Sequence, residues 1–384
     1  MSLPVLTLIY LLTPLIVISV VIVIHELGHY WAGRLFNSAI KSFSIGFGPQ
    51  LISRRDKRGT TWKVSALPLG GFVSWFEEGD EDLERINPKG VRMSGLAVWK
   101  RSVIALAGPV ANFILAIIIF AGFGMVFGDP VARMEVTTVE AGTAADAAGF
   151  QPGDIFLEVN GEPASKPDRF QQIIKLSTGD EIRFRVLRGE ETLDLTATPR
   201  RALMDNGIGI EQQTGKLGIG YRAAVIDRNR LNPLSAVGYG VSETVNSITT
   251  SLNMLGRIAT GKESLQSLSG PVGIANTVGT ATKASLEIEQ ISFAERLYVA
   301  GINMVRLIAY ISVAVGFFNL LPLPILDGGR LVFHAYEAVT GRLPSEQIEA
   351  VSMTLTLAFL VLMALFITIG DFQETGLLEV FRGL

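Results

Sequence analysis

Three side chains that could bind and use a metal ion lie within five residues of one another near the start of the chain. The stretch VIVIHELGHYWAG contains His25, Glu26 and His29. On a helix, residues at i and i+4 share a face, so the two imidazoles can bind one zinc ion while Glu26 serves as a general base. Such groups are costly inside an apolar run, and shared binding of a cation would offset that cost. The alternative is a structural cluster of hydrogen-bonded side chains.

A catalytic zinc ion needs a third protein ligand beside the two histidines, with one position left open. The chain has no cysteine, and its third histidine, His334, is interpreted as a residue of the cytoplasmic surface. Asp327 is the better candidate, because it follows the apolar stretch NLLPLPIL and would lie at about the depth of His25 and His29. An ordinary Asp-Gly turn at a helix end is the alternative interpretation.

The composition of the chain indicates a membrane protein. Of its 384 residues, 48% are hydrophobic and only 18% are charged, whereas ordinary globular chains carry about 25% charged residues. A net charge of -3 gives no reason to expect a nucleic acid as partner. The absence of cysteine excludes disulfides and cysteine-based zinc sites.

Apolar runs of membrane-spanning length predict four transmembrane helices, and with them a lipid bilayer as partner. The runs cover about 5–29, 102–124, 302–323 and 351–369. The first run lacks the basic start and cleavage site of a signal peptide, so we expect it to be retained as a helix. The fold class is therefore a polytopic α-helical membrane protein.

The distribution of Lys and Arg predicts how the chain is oriented. The loop between the first two runs is rich in both, whereas the N-terminal tail has neither. Because cytoplasmic loops carry the excess of basic residues, this loop and residues 325–350 should be cytoplasmic. Residues 125–300 should then lie outside the cytoplasm.

The chain is predicted to have four parts. Residues 1–124 form an N-terminal membrane part, whose cytoplasmic loop contains a membrane-associated β-hairpin at about 64–76, or else a small surface sheet. Residues 129–200 alternate apolar and polar side chains around one helix, and the stretch AGFQPGDIFLEVNG resembles a PDZ domain, which binds an extended peptide at a sheet edge. Residues 201–300 form strands and amphipathic helices, and residues 301–384 form a C-terminal membrane part.

Taken together, HELGH, GPVAN at 108–112, the PDZ-like insert and NLLPLPILDGG resemble the site-2 protease family of intramembrane zinc metalloproteases. The likeness is closest to the bacterial regulator of sigma-E proteases. It implies that Zn2+ is held by His25, His29 and Asp327, that Glu26 activates water, and that Asn319 acts near the site. It also implies a bacterial inner membrane location with a periplasmic PDZ-like domain. The implied substrates are single-span membrane proteins such as an anti-sigma factor, or remnant signal peptides.

Several alternatives remain open at the level of the sequence. A soluble zinc protease could use the same HExxH pattern, although four spanning runs argue against it. A PDZ-bearing membrane scaffold with a structural metal would explain the fold without chemistry, and a transporter would explain polar groups in lipid. Asn112 of the GPVAN stretch either hydrogen-bonds near the site or belongs to a small-residue packing motif.

Overall fold

The computed structural model describes residues 3–76, 79–80, 82–87, 89–205, 211–268 and 270–374. The helices are α1 (Leu3–Leu35), α2 (Leu83–Ile86), α3 (Val98–Phe127), α4 (Ala144–Ala147), α5 (Pro167–Leu176), α6 (Pro233–Ala259), α7 (Pro271–Leu286), α8 (Phe293–Asn319), α9 (Asp327–Thr340) and α10 (Glu346–Glu374). The strands are β1 (Ile40–Arg55), β2 (Thr61–Trp75), β3 (Asp129–Val139), β4 (Ile155–Val159), β5 (Glu162–Pro163), β6 (Ile182–Arg188), β7 (Glu191–Ala197), β8 (Arg200–Asp205), β9 (Glu211–Lys216) and β10 (Ile219–Asn229).

The chain forms two compact units, which are described separately. The first unit contains residues 1–120, 240–248 and 270–368, and the second contains residues 121–239, 249–269 and 369–384. The candidate site lies entirely in the first unit, and most of the β structure outside β1 and β2 lies in the second.

Four helices in the described ranges are long and apolar enough to cross a membrane, as the sequence predicts. They are Ile9–Leu35 of α1, Val98–Phe127 of α3, Phe293–Asn319 of α8 and Glu346–Ile369 of α10. At 1.5 Å per residue, about 20 residues cross the apolar part of a bilayer. Pro14 lies inside α1 without ending it, which membrane helices tolerate where neighbouring groups satisfy the freed backbone.

Small residues bring α1, α3 and α8 close together. A Cβ atom on Gly28 of α1 would lie 2.2 Å from the carbonyl oxygen of Ala107 in α3, so only glycine fits there. On the other side of α3, the Ser312 hydroxyl of α8 donates a hydrogen bond to the carbonyl oxygen of Asn112 at 2.9 Å. Close helix packing by small residues and interhelical hydrogen bonds is typical of membrane proteins.

The β structure that the sequence predicts at about 64–76 forms the second part of β2. Residues 42–45 of β1 pair parallel with 61–64 and antiparallel with 71–74, so the chain reverses direction between residues 64 and 71. Gly70 has φ +106°, and a side chain there would collide with Ile22 of α1. The two glycines therefore lie at the end of this reversal and allow residues 71–75 to lie against α1.

The third spanning helix also begins earlier than predicted. The prediction separated 201–300 from 301–384, whereas α8 begins at Phe293. Ser292 and Glu295 form a capping box, in which each side chain bonds to the backbone N–H of the other residue. A capping box satisfies N–H groups that a helix start would otherwise leave unpaired, which fixes the start at this position.

The second unit contains a mostly-β domain with one longer helix, α5, as predicted. Its six-stranded antiparallel sheet has the order β10-β3-β4-β6-β7, with the short β5 paired to β4. Four buried phenylalanines form the centre of its core, with ring centroids 4.6–6.3 Å apart: Phe150, Phe156, Phe170 and Phe184. The edge strand β10 lies beyond the predicted domain end at residue 200 and pairs with β3. The separate hairpin of β8 and β9 also follows that boundary.

Candidate metal centre

The side chains of His25, His29 and Asp327 converge on one point. The two Nε2 atoms of the histidines are 3.1 Å apart, and Asp327 Oδ2 lies 3.1 Å from that of His25 and 3.3 Å from that of His29. In the part of the chain that the structure describes, these residues form the group of three that could hold a metal ion. The structure thus brings together the two α1 histidines and the distant aspartate, and their role as zinc ligands stays a prediction.

The size of this triangle fits a zinc ion. Three ligand atoms about 2.0–2.1 Å from one tetrahedral zinc ion lie about 3.3 Å from one another. Asp327 Oδ2 is buried and has no hydrogen-bond partner apart from the two imidazole nitrogens that face it. A buried carboxylate oxygen aimed at two imidazoles is costly unless a proton or cation lies between them. Two imidazole nitrogens and one carboxylate oxygen are also ligand types that zinc prefers.

One face of helix α3 contacts both imidazole rings. Its residues Ile104, Gly108 and Asn112 are spaced by four and therefore share one face. The Ile104 carbonyl oxygen lies 2.8 Å from His29 Nδ1, and Asn112 Nδ2 lies 3.2 Å from His25 Nδ1. Between them, a Cβ atom on Gly108 would lie 2.3 Å from His29 Nε2, so glycine leaves the space in which the rings meet.

A tight turn between α8 and α9 brings Asp327 to the histidines. Helix α8 ends at Asn319, and α9 begins at Asp327 itself. A Cβ atom on Gly328 would lie 2.3 Å from the carbonyl oxygens of Leu320 and Leu321, and one on Gly329 would lie 2.3 Å from that of Leu323. Because only glycine allows this approach, the Gly-Gly pair lets the first turn of α9 pack on the preceding backbone. The alternative of an isolated Asp-Gly turn at a helix end does not describe this arrangement.

Glu26 lies beside the cluster of His25, His29 and Asp327, and the backbone of β2 holds its side chain. Its Oε2 accepts a hydrogen bond of 3.0 Å from the Val73 N–H. Residues 71–75 pair with 40–45 on their other side. The edge of β2 that faces Glu26 is therefore free of a partner strand among the described residues, and it lies next to the cluster.

A cavity of about 300 Å³ opens onto Glu26 and the cluster. Fifteen residues line it: His25, Glu26, His29, Phe72, Val73, Trp75, Met93, Arg101, Ile104, Ala105, Asn319, Ile325, Asp327, Arg330 and His334. The volume is enough for several water molecules or for a short stretch of an extended peptide. Water and a peptide carbonyl could therefore reach Glu26 and the cluster together.

Asn319 lines the cavity, but its amide is directed elsewhere. Its Nδ2 donates to the carbonyl oxygen of Val315 in its own helix at 2.9 Å. The structure therefore places Asn319 at the site without joining it to the cluster. A side-chain rotation would be needed before this amide could donate to a substrate.

His334 does not lie on the open surface, and the interpretation as a surface histidine is wrong. It is half-buried in the cavity wall, where its Nδ1 lies 3.2 Å from the hydroxyl of Ser102. Burial, followed by the positive charge of Arg101, holds the pKa of His334 below its ordinary value. It lies outside the group formed by His25, His29 and Asp327.

Two arginines of the cavity wall were not predicted from the sequence. Arg101 is largely buried and forms an ion pair of 2.6 Å with Glu337, while Arg330 follows Asp327 by one turn of α9. The i+3 spacing from Asp327 could have revealed Arg330 had a helix been predicted there. No neighbouring residue in the sequence indicated that Arg101 lines the cavity, because its partner Glu337 is 236 residues away.

The sequence of the chain also matches a known protein family. The model of peptidase family M50 matches residues 13–363, which is most of the chain. The chain belongs to peptidase family M50. This is the site-2 protease family, so the resemblance seen in the sequence is confirmed. Peptidases of the family are zinc-dependent, and zinc is the cofactor of this chain.

Similar proteins carry matching names over nearly their full length. The chain is 39% identical to "Metalloprotease MmpA" of Caulobacter vibrioides, over 98% of each chain. It is 35% identical to "Putative zinc metalloprotease Atu1380" of Agrobacterium fabrum, over 95% of this chain and 96% of that one. Together with the four apolar helices, these relatives support a multi-pass membrane metalloprotease.

Two solved structures match a small part of the chain. The PDZ domain of an SdrC-like protein from Listeria monocytogenes is 19% identical and covers 23% of this chain and 85% of its own, with a TM-score of 0.19. The corresponding domain from Listeria innocua is 21% identical and covers 24% and 93%, also with a TM-score of 0.19.

Proposed function

We propose that the protein is an intramembrane endopeptidase that cleaves the transmembrane segments of single-span membrane proteins. The observation that carries this proposal is the position of the cluster. His25 and His29 lie in an apolar helix of spanning length, yet they face Asp327 and a cavity of about 300 Å³. A polar cavity reached from within the span of a membrane helix fits hydrolysis at the level of the bilayer.

Each residue of the cluster has a separate proposed role. His25, His29 and Asp327 hold zinc, which when bound acts as a Lewis acid that strengthens water as a nucleophile and polarises a carbonyl. Glu26 takes one proton from the attacking water and passes it to the nitrogen of the departing amine, so that one water is consumed for each peptide bond broken. The Val73 N–H fixes the Glu26 carboxylate beside the cluster.

The substrate must lose its helical structure before it can react. In a helix each carbonyl is already hydrogen-bonded within the chain, and the turn of the helix shields it. The unpaired edge of residues 71–75 lies next to Glu26 and could bind an extended substrate as an added strand. We propose that this edge holds about one turn of the unwound segment beside the cluster.

The remaining assignments concern location and partners. We propose a bacterial inner membrane location, with the cluster near the cytoplasmic side and the insert of β3–β10 in the periplasm, because the Lys- and Arg-rich loop between the first two spans lies in the first unit. We propose that this PDZ-like insert binds a peptide or protein ligand. An anti-sigma factor of an envelope-stress response is the substrate class that the family resemblance implies, and remnant signal peptides are a second one.

The test is cleavage of a single-span reporter by the purified protein in detergent or liposomes. We expect Glu26→Gln to abolish cleavage while the zinc content and thermal unfolding stay those of the unchanged chain. Glu346→Gln, which makes the same chemical change at an exposed carboxylate in the first turn of α10, serves as the matched control and should keep most of the activity. Cleavage by Glu26→Gln at the original rate would refute the general-base role. A chain that binds zinc and cleaves no membrane-spanning substrate would instead favour a scaffold with a structural metal.

A further inference from the structure

Asn112 is a buried polar side chain whose hydrogen bonds are incomplete. It is 0% exposed in the middle of α3. Its Nδ2 lies 3.2 Å from His25 Nδ1, while its Oδ1 is buried and has no hydrogen-bond partner. A buried polar atom without a partner costs about 1–3 kcal/mol, so such an atom beside a metal ligand needs a reason.

The unpartnered Asn112 Oδ1 can be explained by the two tautomers of the His25 ring. A histidine that binds a metal through Nε2 carries its proton on Nδ1, and this N–H normally donates to an oxygen. Without a cation, the proton can instead lie on Nε2, which faces Asp327 Oδ2 at 3.1 Å. His25 Nδ1 then accepts a hydrogen bond from Asn112 Nδ2, as the structure has it.

A primary amide can serve both forms, because it carries a donor and an acceptor that exchange places on a half-turn of the side chain. With zinc bound, Asn112 would present Oδ1, now unpartnered, to the Nδ1–H of His25. His29 needs no such adjustment, because its Nδ1 already faces the Ile104 carbonyl oxygen at 2.8 Å. The α8 hydroxyl of Ser312 holds the Asn112 backbone in place.

We propose that Asn112 is a positioning residue of the zinc site, which holds His25 in its metal-binding form by accepting the Nδ1–H through Oδ1. The inference rests on the proposed zinc ligands and extends them by one further residue. It also explains why α3 contributes to the site without supplying a ligand. Its 104/108/112 face provides an acceptor for each imidazole and the space between them.

The test measures zinc affinity rather than cleavage. Full-length Asn112→Leu, Asn112→Asp and Thr282→Val are purified in detergent, and their zinc is titrated against a chelator of known affinity. Leucine has the same branched skeleton as asparagine but accepts no hydrogen bond, so we expect zinc affinity to fall about 10–100-fold. Aspartate keeps an acceptor and should stay within about threefold of the unchanged chain. Thr282 is buried in α7 and bonds only its own helix, so its variant should bind zinc normally.

The outcomes separate this role from simple packing. If Asn112→Leu binds zinc as the unchanged chain does, or if Asn112→Asp loses as much affinity as Asn112→Leu, the proposal is overturned. If Asn112→Leu does not fold, Asn112→Asp decides alone, because retained zinc supports the proposal and lost zinc refutes it. The affinity stays informative even if Glu26→Gln shows the proposed general base to be wrong, since neither measurement depends on the other.

Discussion

Gly108→Ala adds a single methyl group at the point where the two imidazoles meet. The added carbon would lie 2.3 Å from His29 Nε2 and 2.8 Å from His25 Nε2. Ordinary contacts of a Cβ atom begin at 3.4 Å, so the His29 ring must retreat by about 1.1 Å, or α3 must move away from α1. The methyl group cannot avoid this, since its position is fixed by the backbone of the helix.

The loss of activity that this displacement causes can be estimated from how precisely a catalytic group must be placed. A displacement of about 1 Å in a catalytic group can lower the rate about 100-fold. It also opens a ligand triangle whose edges of 3.1–3.3 Å match zinc. We therefore expect Gly108→Ala to lose at least about 100-fold in kcat/KM and to bind zinc more weakly.

Gly122→Ala is the matched control for this measurement. It makes the same chemical change in the same helix, but nothing lies within 4 Å of the added carbon. Rates of reporter cleavage and zinc-to-protein ratios of both variants should be measured at equal amounts of folded protein. Full activity and zinc content in Gly108→Ala would refute the geometric reasoning, and an equal loss in Gly122→Ala would show that any substitution in α3 is harmful.

Three further predictions concern the first turn of α9 and the core of the insert. Gly328→Ala should lower zinc occupancy, measured by metal analysis, because its Cβ would lie 2.3 Å from two carbonyl oxygens and displace Asp327. Phe184→Ala should lower the opening free energy of the β3–β7 sheet in hydrogen exchange by about 4 kcal/mol, since Phe184 is 1% exposed in the aromatic core. Burial alone would raise the pKa of Asp154, but the hydrogen bonds and charge of Arg188 hold it below its ordinary value. The same hydrogen-exchange free energy should therefore fall as the pH drops below about 4, and Asp154→Asn should flatten that dependence.

The grouping of the candidate ligands could be predicted because it follows from short local sequence patterns. The i, i+4 spacing of His25 and His29 needs only a helix to place both rings on one face. Predicting Asp327 required a second step, the inference that two apolar runs end at the same depth of the bilayer. Both steps use the length of a spanning helix, which the hydropathy of the chain sets directly.

Other parts of the site depend on pairings that no local pattern announces. The bond between the Val73 N–H and Glu26 comes from a backbone donor, which every residue except proline has. The edge strand β10 follows its partner β3 by about 90 residues, so the predicted domain ended too early. The contact of Gly70 with α1 could not be predicted, because a glycine in a strand is as typical of a turn as of a close contact with another element.

The most direct test of the account is zinc-edge X-ray absorption spectroscopy of the purified full-length protein, made with an affinity tag that contains no histidine. Each bound imidazole adds a recognisable multiple-scattering signal, and the chain has three histidines in all. We expect one zinc per chain bound by two imidazoles and a carboxylate, with the imidazole signal unchanged in His334→Ala and reduced in His25→Ala. A signal of three imidazoles that falls in His334→Ala, or a chain that binds no zinc, would contradict it.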